Sequence, residues 1–204
     1  THVDHSPGAA ALAQATGATL IGWPAPAGSS QDPSFVPQHR PTHGERIAVG
    51  TDTTLRVLHT PGHASNHLCY LLEQEKTLFT GDQVMQGSTV VINPPDGDMG
   101  AYLRALEALL GEDLEWLAPG HGFLVARPHE VLRALIRHRL KREALVLQAL
   151  RAHGPASAAA LVPAVYVDVP AARHPIAERS LLAHLLKLRD DGAAAEAGGV
   201  WSAR

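Results

Sequence analysis

Three short turns of similar make punctuate the first half of this chain, and they constrain its fold more than anything else in it. Leu55-Arg56-Val57-Leu58-His59-Thr60-Pro61-Gly62-His63 is an apolar, strand-like run that ends in Pro-Gly-His. Lys76-Thr77-Leu78-Phe79-Thr80-Gly81-Asp82 is a second, ending in Gly-Asp, and Leu114-Glu115-Trp116-Leu117-Ala118-Pro119-Gly120-His121-Gly122 a third, ending in Pro-Gly-His-Gly. Each run delivers an imidazole or a carboxylate at the end of a strand. Strand ends on a rigid sheet are where functional side chains tend to be held. Glycine beside each of them lets the backbone come close to whatever is bound there, or take a positive φ.

The first residues, Thr1-His2-Val3-Asp4-His5-Ser6-Pro7-Gly8, carry the same ligand types. On an extended segment His2 and Asp4 would face one side, and His5 would join them only if the chain turns, for which Pro7-Gly8 is a signal. Alone this cluster suits a disordered histidine-rich end equally well. With the other three it reads as a fourth part of one metal site, since imidazole and carboxylate are what borderline divalent ions select.

Thr-His-x-Asp-His-Ser, Thr-Pro-Gly-His, Thr-Gly-Asp and Pro-Gly-His, in that order over Thr1 to Gly122, resemble the metal motifs of the metallo-β-lactamase superfamily. The resemblance implies an α+β fold, the αββα sandwich of that family. It makes His2 and His63 ligands of one divalent ion and Asp4, His5 and His121 ligands of a second, with Asp82 bridging both. Zinc is the expected metal. His67, four residues after His63, is expected to support the site by hydrogen bonding. The family's first motif usually begins one unit earlier, His-x-His-x-Asp-His, so its first histidine would precede Thr1. The expectation is therefore an N-terminally incomplete sandwich whose earlier strands are not in this sequence.

The formal charge of −3 hides an asymmetry: residues 1–126 carry 5 Lys/Arg against 13 Asp/Glu, and residues 127–204 carry 12 against 7. The acidic part suits metal ligation; the basic part permits an anionic partner. The single cysteine excludes an internal disulfide and fits a reducing, cytoplasmic setting. Cys69 lies among Leu68, Tyr70, Leu71 and Leu72 and is expected to be buried in a strand. No apolar run approaches the ~20 residues of a membrane span.

Taken in order, Ala9 to Gly17 reads as a short helix and Thr19 to Gly22 as a brief strand. Trp23 to Arg40, with four prolines, reads as a loop, expected to be a solvated excursion rather than a lid over the site. Glu45–Gly50 with Thr53–His59, and His67–Leu72 with Thr77–Thr80, read as two hairpins. His59 is expected to be structural and His43 a surface turn residue. Asp98 reads as the N-cap of a helix carrying Tyr102, Leu103, Leu106, Leu109 and Leu110, and Asp96 as a turn residue. Ser6 beside His5 is assigned to local turn bonding rather than to a Ser-His-Asp device.

From residue 128 the pattern becomes helical, so the chain divides into 1–127, the metal-bearing domain, and 128–204. Glu130 to His153 is a long helix made basic by Arg133, Arg137, Arg139, Lys141 and Arg142. A short helix from Ser157, a helix from Ile176 to Asp190 and a hairpin near Trp201 then read as a winged-helix module. Asn93-Pro94-Pro95-Asp96-Gly97-Asp98-Met99 and His174-Pro175-Ile176-Ala177-Glu178-Arg179-Ser180-Leu181-Leu182-Ala183-His184-Leu185 resemble the beta-lactamase-like protein 2 subgroup of the superfamily. That likeness implies a metal-dependent hydrolase using a hydroxide held between two ions, with Asp4 additionally placed as a catalytic group that orients or deprotonates it. It further implies single-stranded RNA as substrate, an endoribonuclease. Hydrolysis of a small thioester, lactone or β-lactam stays open, as does a non-catalytic metal-binding or DNA-binding regulator, because the scaffold itself does not select the substrate. The sequence is silent on oligomeric state.

Overall fold

The structure, a computed structural model, describes residues 1–204. A short helix, α1 (Ala9–Thr16), ends at Gly17 in the left-handed conformation, as its composition suggests. Four strands then run in antiparallel succession: β1 (Arg46–Val49), β2 (Thr53–His59), β3 (Leu68–Leu72) and β4 (Thr77–Gly81). After helix α2 (Met99–Leu109) the chain returns as β5 (Trp116–Pro119), which pairs parallel to β4, and β6 (Val125–Ala126) closes the sheet in the order β1-β2-β3-β4-β5-β6. A parallel neighbour needs a crossover, and α2 supplies it. This topology puts three loops on one edge. The β2–β3 turn opens there, β4 ends there because it is antiparallel to β3, and β5 ends there because it is parallel to β4.

Alternation along the strands decides which face is core. Leu58, Cys69, Leu71, Leu78 and Leu117 point inward onto Met99, Tyr102, Leu103, Leu106 and Leu109 of α2. Asp98 caps that helix, its side chain accepting from the Ala101 backbone N–H at 2.7 Å. Cys69 is fully buried, and burial pushes its thiol up to about 12. The opposite face is more open: Phe79 and Trp116 remain 45% and 42% exposed.

Helix α3 (Pro128–His153) leaves the sheet with Leu132 in this core and carries the chain to a second one. There Val146 and Leu150 pack with α4 (Ala158–Val165), α5 (His174–Asp190) and Trp201 of the hairpin β7 (Ala194–Ala197) and β8 (Val200–Ala203). Ser157 caps α4 by accepting from Ala160 N–H, as its position suggests. Ala183 of α5 reaches the first core, so the two are in contact. No helix is long and apolar enough to cross a membrane.

Three expectations are corrected. Thr19 to Gly22 is no strand; only an isolated parallel bridge joins Ile21 to His39, because prolines soon after it stop any ladder from extending. The Trp23–Arg40 loop is not a solvated excursion. Gln31 and Asp32 are 6% and 8% exposed, Asp32 N–H donates to Thr1 O at 2.8 Å, and Gln31 Nε2 donates to Asp96 at 2.7 Å. The loop folds inward because its short polar side chains satisfy the turn that bears the first histidines. The third correction concerns α3: Arg139, counted among the residues that make the helix basic, is 3% exposed, while Leu140 and Leu145 face solvent. A helix that bridges two cores has no single apolar stripe.

Between α3 and α5, His184 is fully buried beside Glu143 at 3.5 Å, with Lys187 on the same carboxylate at 3.0 Å and Arg139 contributing positive potential. Burial, the largest influence, holds the His184 imidazole below its ordinary 6.5, although Glu143 pulls the other way. The unfolded chain therefore binds a proton that the folded chain refuses, and stability falls as pH drops below 6.5. Glu143, itself held below 4.5, adds acid sensitivity only at lower pH. His184→Leu is expected to flatten the loss of stability between about pH 7 and about pH 5, read by urea unfolding.

Candidate metal centre

The edge that collects the loops also collects the ligand-type side chains. A tight turn, with His5 N–H and Ser6 N–H both donating to His2 O at 3.0 and 3.2 Å, sends His2 one way and Asp4 and His5 the other. The segment is thus not extended there, and His2 and Asp4 do not share a side. Ser6 Oγ donates to Asp32 at 2.7 Å, a bond that pins this turn. His2 Nδ1 lies 2.9 Å from His63 Nε2. On the other side His121 Nε2 is 3.2 Å from Asp4 Oδ2, and the His5 and His121 rings meet edge to face at 5.0 Å.

Asp82 stands between the two halves. Its Oδ2 lies 3.2 Å from His5 Nε2 and 3.6 Å from His63 Nε2, while Oδ1 lies 3.6 Å from His121 Nε2. Two groups result, His2-His63-Asp82 and Asp4-His5-Asp82-His121, each with ligand atoms within 4.8 Å of one another. Metal binding fits these residues on two observations. Asp82 Oδ1 is buried with no hydrogen-bond partner, which leaves its lone pairs open to a cation. The donors are also those a divalent ion takes, imidazole nitrogen and carboxylate oxygen.

The surroundings orient the ligands. His63 Nδ1 donates to Val91 O at 2.8 Å, which leaves the Nε2 lone pair facing the site. Asp82 N–H donates to His67 Nε2 at 3.3 Å, so His67 carries its proton on Nδ1 and donates to Thr60 Oγ1 at 2.8 Å. Burial first, then the neighbouring His63, lowers His67 to about 3, and it stays neutral. His67 thus touches the loop of Asp82 rather than the site itself. Burial and His63 also hold His2 below the ordinary histidine value. Asp4 and His5 are the exposed members, Asp4 with the more exposed side chain. Its slight burial would raise it, but its own backbone N–H and the His5 and His121 imidazoles bring it below the usual carboxylate range.

Two glycines make the convergence possible. Gly62, at φ +144, lays its backbone against Tyr102 so closely that a Cβ there would run into the Tyr102 Cα. A Cβ on Gly120 would lie 2.9 Å from His5 Cε1 and 3.2 Å from Asp82 Oδ1. His59 stacks on Trp23 with ring centroids 4.5 Å apart, outside both groups, and His43 accepts from His59 N–H at 3.2 Å. Asp96 binds Ser65 and Gln31 rather than the site. Beside His2, His5, His63 and Asp82 opens a cavity of about 310 Å³, walled by Ile21, Trp23, Phe35 and Tyr70. The Trp23–Arg40 loop therefore contributes to the site. Its two aromatics were the signal in the sequence, outweighed there by the prolines.

A family model described as the metallo-beta-lactamase superfamily matches residues 1–121, and one described as a beta-lactamase associated winged helix domain matches residues 157–201. A Drosophila melanogaster protein named beta-lactamase-like protein 2 homolog is 31% identical over 162 residues, 78% of this chain and 53% of its own length. An atrochrysone carboxyl ACP thioesterase from Aspergillus chevalieri is 39% identical over 99 residues, 48% of this chain and 30% of its own. A metallo-beta-lactamase family protein from Thermus thermophilus superposes with a TM-score of 0.72 at 27% identity, covering 83% of this chain and 56% of that one. The chain thus spans about half the length of these relatives, or less.

Gly62→Ala is expected to destabilise the fold by roughly 1–3 kcal/mol, because backbone rather than a flexible side chain blocks the new methyl. Gly28→Ala, at a positive φ in open space, is expected to cost less. Denaturant midpoints of the two variants compare them directly.

Proposed function

The chain belongs to the metallo-beta-lactamase superfamily, and from that premise we propose that it is a metal-dependent hydrolase. The observation that carries the reading is the buried Asp82 carboxylate, unpartnered at Oδ1, at the centre of His2, Asp4, His5, His63 and His121. In this reading His2, His63 and Asp82 would hold one divalent ion, and Asp4, His5, His121 and Asp82 would hold a second. Zinc is the metal we favour, on the imidazole-rich donor set. Ions bound there lower the pKa of a water and polarise the carbonyl or phosphoryl oxygen of a substrate.

The residues of the chain do the rest. Asp4, exposed and held in its ionised form, would serve as a proton acceptor at the mouth of the site. His67, neutral and bonded to both Thr60 and Asp82 N–H, fixes where the Asp82 carboxylate points. Trp23, Phe35 and Tyr70 give the cavity flat apolar walls beside the ligands.

For substrate we favour single-stranded RNA in the cytoplasm. Aromatic walls suit stacked bases, and Arg137 and Lys141 stand exposed on one face of α3 with no ion-pair partner. The buried Cys69 thiol is compatible with a reducing compartment. A second reading, a small acyl thioester, is favoured by the thioesterase name of a relative that is 39% identical over 99 residues. The winged helix fits a packing role better than a DNA-reading one, because Lys187 already pairs with Glu143 and Asp191, and Arg189 with Asp190.

Elemental analysis should find about two divalent ions per chain, and Asp82→Ala should lose most of them, together with hydrolysis, while its circular dichroism is retained. Metal-free protein throughout would leave the non-catalytic regulator standing. With RNA as substrate, reversing Arg137 and Lys141 to glutamate should slow cleavage and flatten its salt dependence, since two phosphate contacts are lost. Equal rates, with an acyl thioester hydrolysed instead, would select the second reading.

A further inference from the structure

Arg139 is a buried cation that neither the fold nor the proposed chemistry has yet used. It is 3% exposed, no carboxylate pairs with it, and its Nε has no hydrogen-bond partner. Its guanidinium sits 5.3 Å from the centroid of the Tyr102 ring, and Nη2 donates to Val90 O. A desolvated charge held by the Tyr102 side chain and one carbonyl, with no carboxylate, is costly, and a linear apolar side chain of similar length can fill the same space. Packing therefore does not account for it.

What Arg139 touches does. The peptide after Val90 leads straight to Val91, whose carbonyl accepts the Nδ1 proton of His63 at 2.8 Å. No backbone–backbone hydrogen bond involves residues 88–92, so no ladder or helix fixes that carbonyl. The segment is held by the burial of Val90 and Ile92 and by Arg139. Tyr102, beneath the guanidinium, donates its hydroxyl to Gln83 O at 3.0 Å, next to Asp82, and its backbone is the wall against which Gly62 lies. Arg139 and Tyr102 together thus clamp the 62–63, 82–83 and 90–91 stretches. Arg139 comes from α3, between the two segments that family models match.

We propose that Arg139 is a positioning residue. By fixing the Val90–Val91 peptides it sets the tautomer and direction of the His63 ring, and so couples the C-terminal helices to the His2-His63-Asp82 pocket. The inference rests on reading His63 as a metal ligand. Groups that hold a ligating histidine by its far nitrogen typically change metal affinity by about 10- to 100-fold when removed.

The test is Arg139→Met and Arg139→Lys in the full chain, read in three ways: thermal midpoint, ¹⁵N signals of the histidine rings in metal-free protein, and cobalt(II) titration. Arg139→Met is expected to melt no lower than the parent, to shift the His63 ring signals, and to weaken one of the two cobalt-binding steps by about 10-fold or more. Arg139→Lys, which can still donate to Val90 O, should recover part of both effects. If Arg139→Met does not fold, Arg139→Leu, which likewise cannot donate to Val90 O, takes its place: an unmoved His63 signal in it overturns the proposal. A lower melting point with unchanged His63 signals and cobalt affinity would make Arg139 a packing residue and also overturn it. If the parent binds no cobalt yet its His63 signals still depend on Arg139, the metal centre falls and the positioning role stands. Cobalt binding that ignores Arg139 gives the reverse.

Discussion

β4 and β5 pair in parallel, from Thr77 with Trp116 to Gly81 with Pro119, and this pairing brings the ligand-bearing loops together. Antiparallel strands alone would place successive loops on opposite edges of the sheet. One parallel step, made through α2, returns β5 so that Asp82 and His121 emerge side by side, and Gly120 N–H donates to Gly81 O at 2.9 Å between them. The β2–β3 turn already opens on that edge with His63. The N-terminal turn then has only to lie across three loops that are already together.

The same crossover explains why α2 matters beyond burying the sheet. Tyr102 is fully buried, but it meets two site-bearing loops at once, the Gly62 loop by its backbone and the Gln83 loop by its hydroxyl. Replacing it by another large apolar residue would fill the core and lose the bond to Gln83 O. Rigidity at the metal centre is therefore borrowed from the core, and the core is continued by α3 into the C-terminal helices. The C-terminal helices are tied to this core by Ala183 of α5, which packs into it, and by the ion pair of Lys187 on α5 with Glu143 on α3.

The centre itself is a balance of desolvation against convergence. Four histidines and two carboxylates, His67 apart, crowd one edge, with Asp82 only 9% exposed and Asp4 left at the mouth. Such a donor set is unfavourable unless a cation completes it, which is why the orphaned Asp82 Oδ1 bears more on function than any single distance. The aromatic wall from the Trp23–Arg40 loop adds shape on one side and keeps that side drier.

Much of this was legible in one dimension. Hydrophobic alternation placed the hairpins, Asp98 and Ser157 announced the helix starts they cap, and glycine beside histidine or aspartate marked the turns, because these signals are local. Which ligand sits with which was not local. His2 and Asp4 separate because a turn replaces an extended segment, and no property of the residues between them required it. The inward fold of the Trp23–Arg40 loop and the buried Arg139 were equally invisible, since proline content and helical periodicity describe a segment and not what it meets. The two hairpins, the caps at Asp98 and Ser157 and the identity of the donor atoms follow from local sequence. Their grouping around Asp82 was implied by the resemblance of the four motifs and by no local property, and their support from α2 and α3 came with the tertiary structure alone, because it depends on contacts between residues far apart in the chain, which local propensity does not encode.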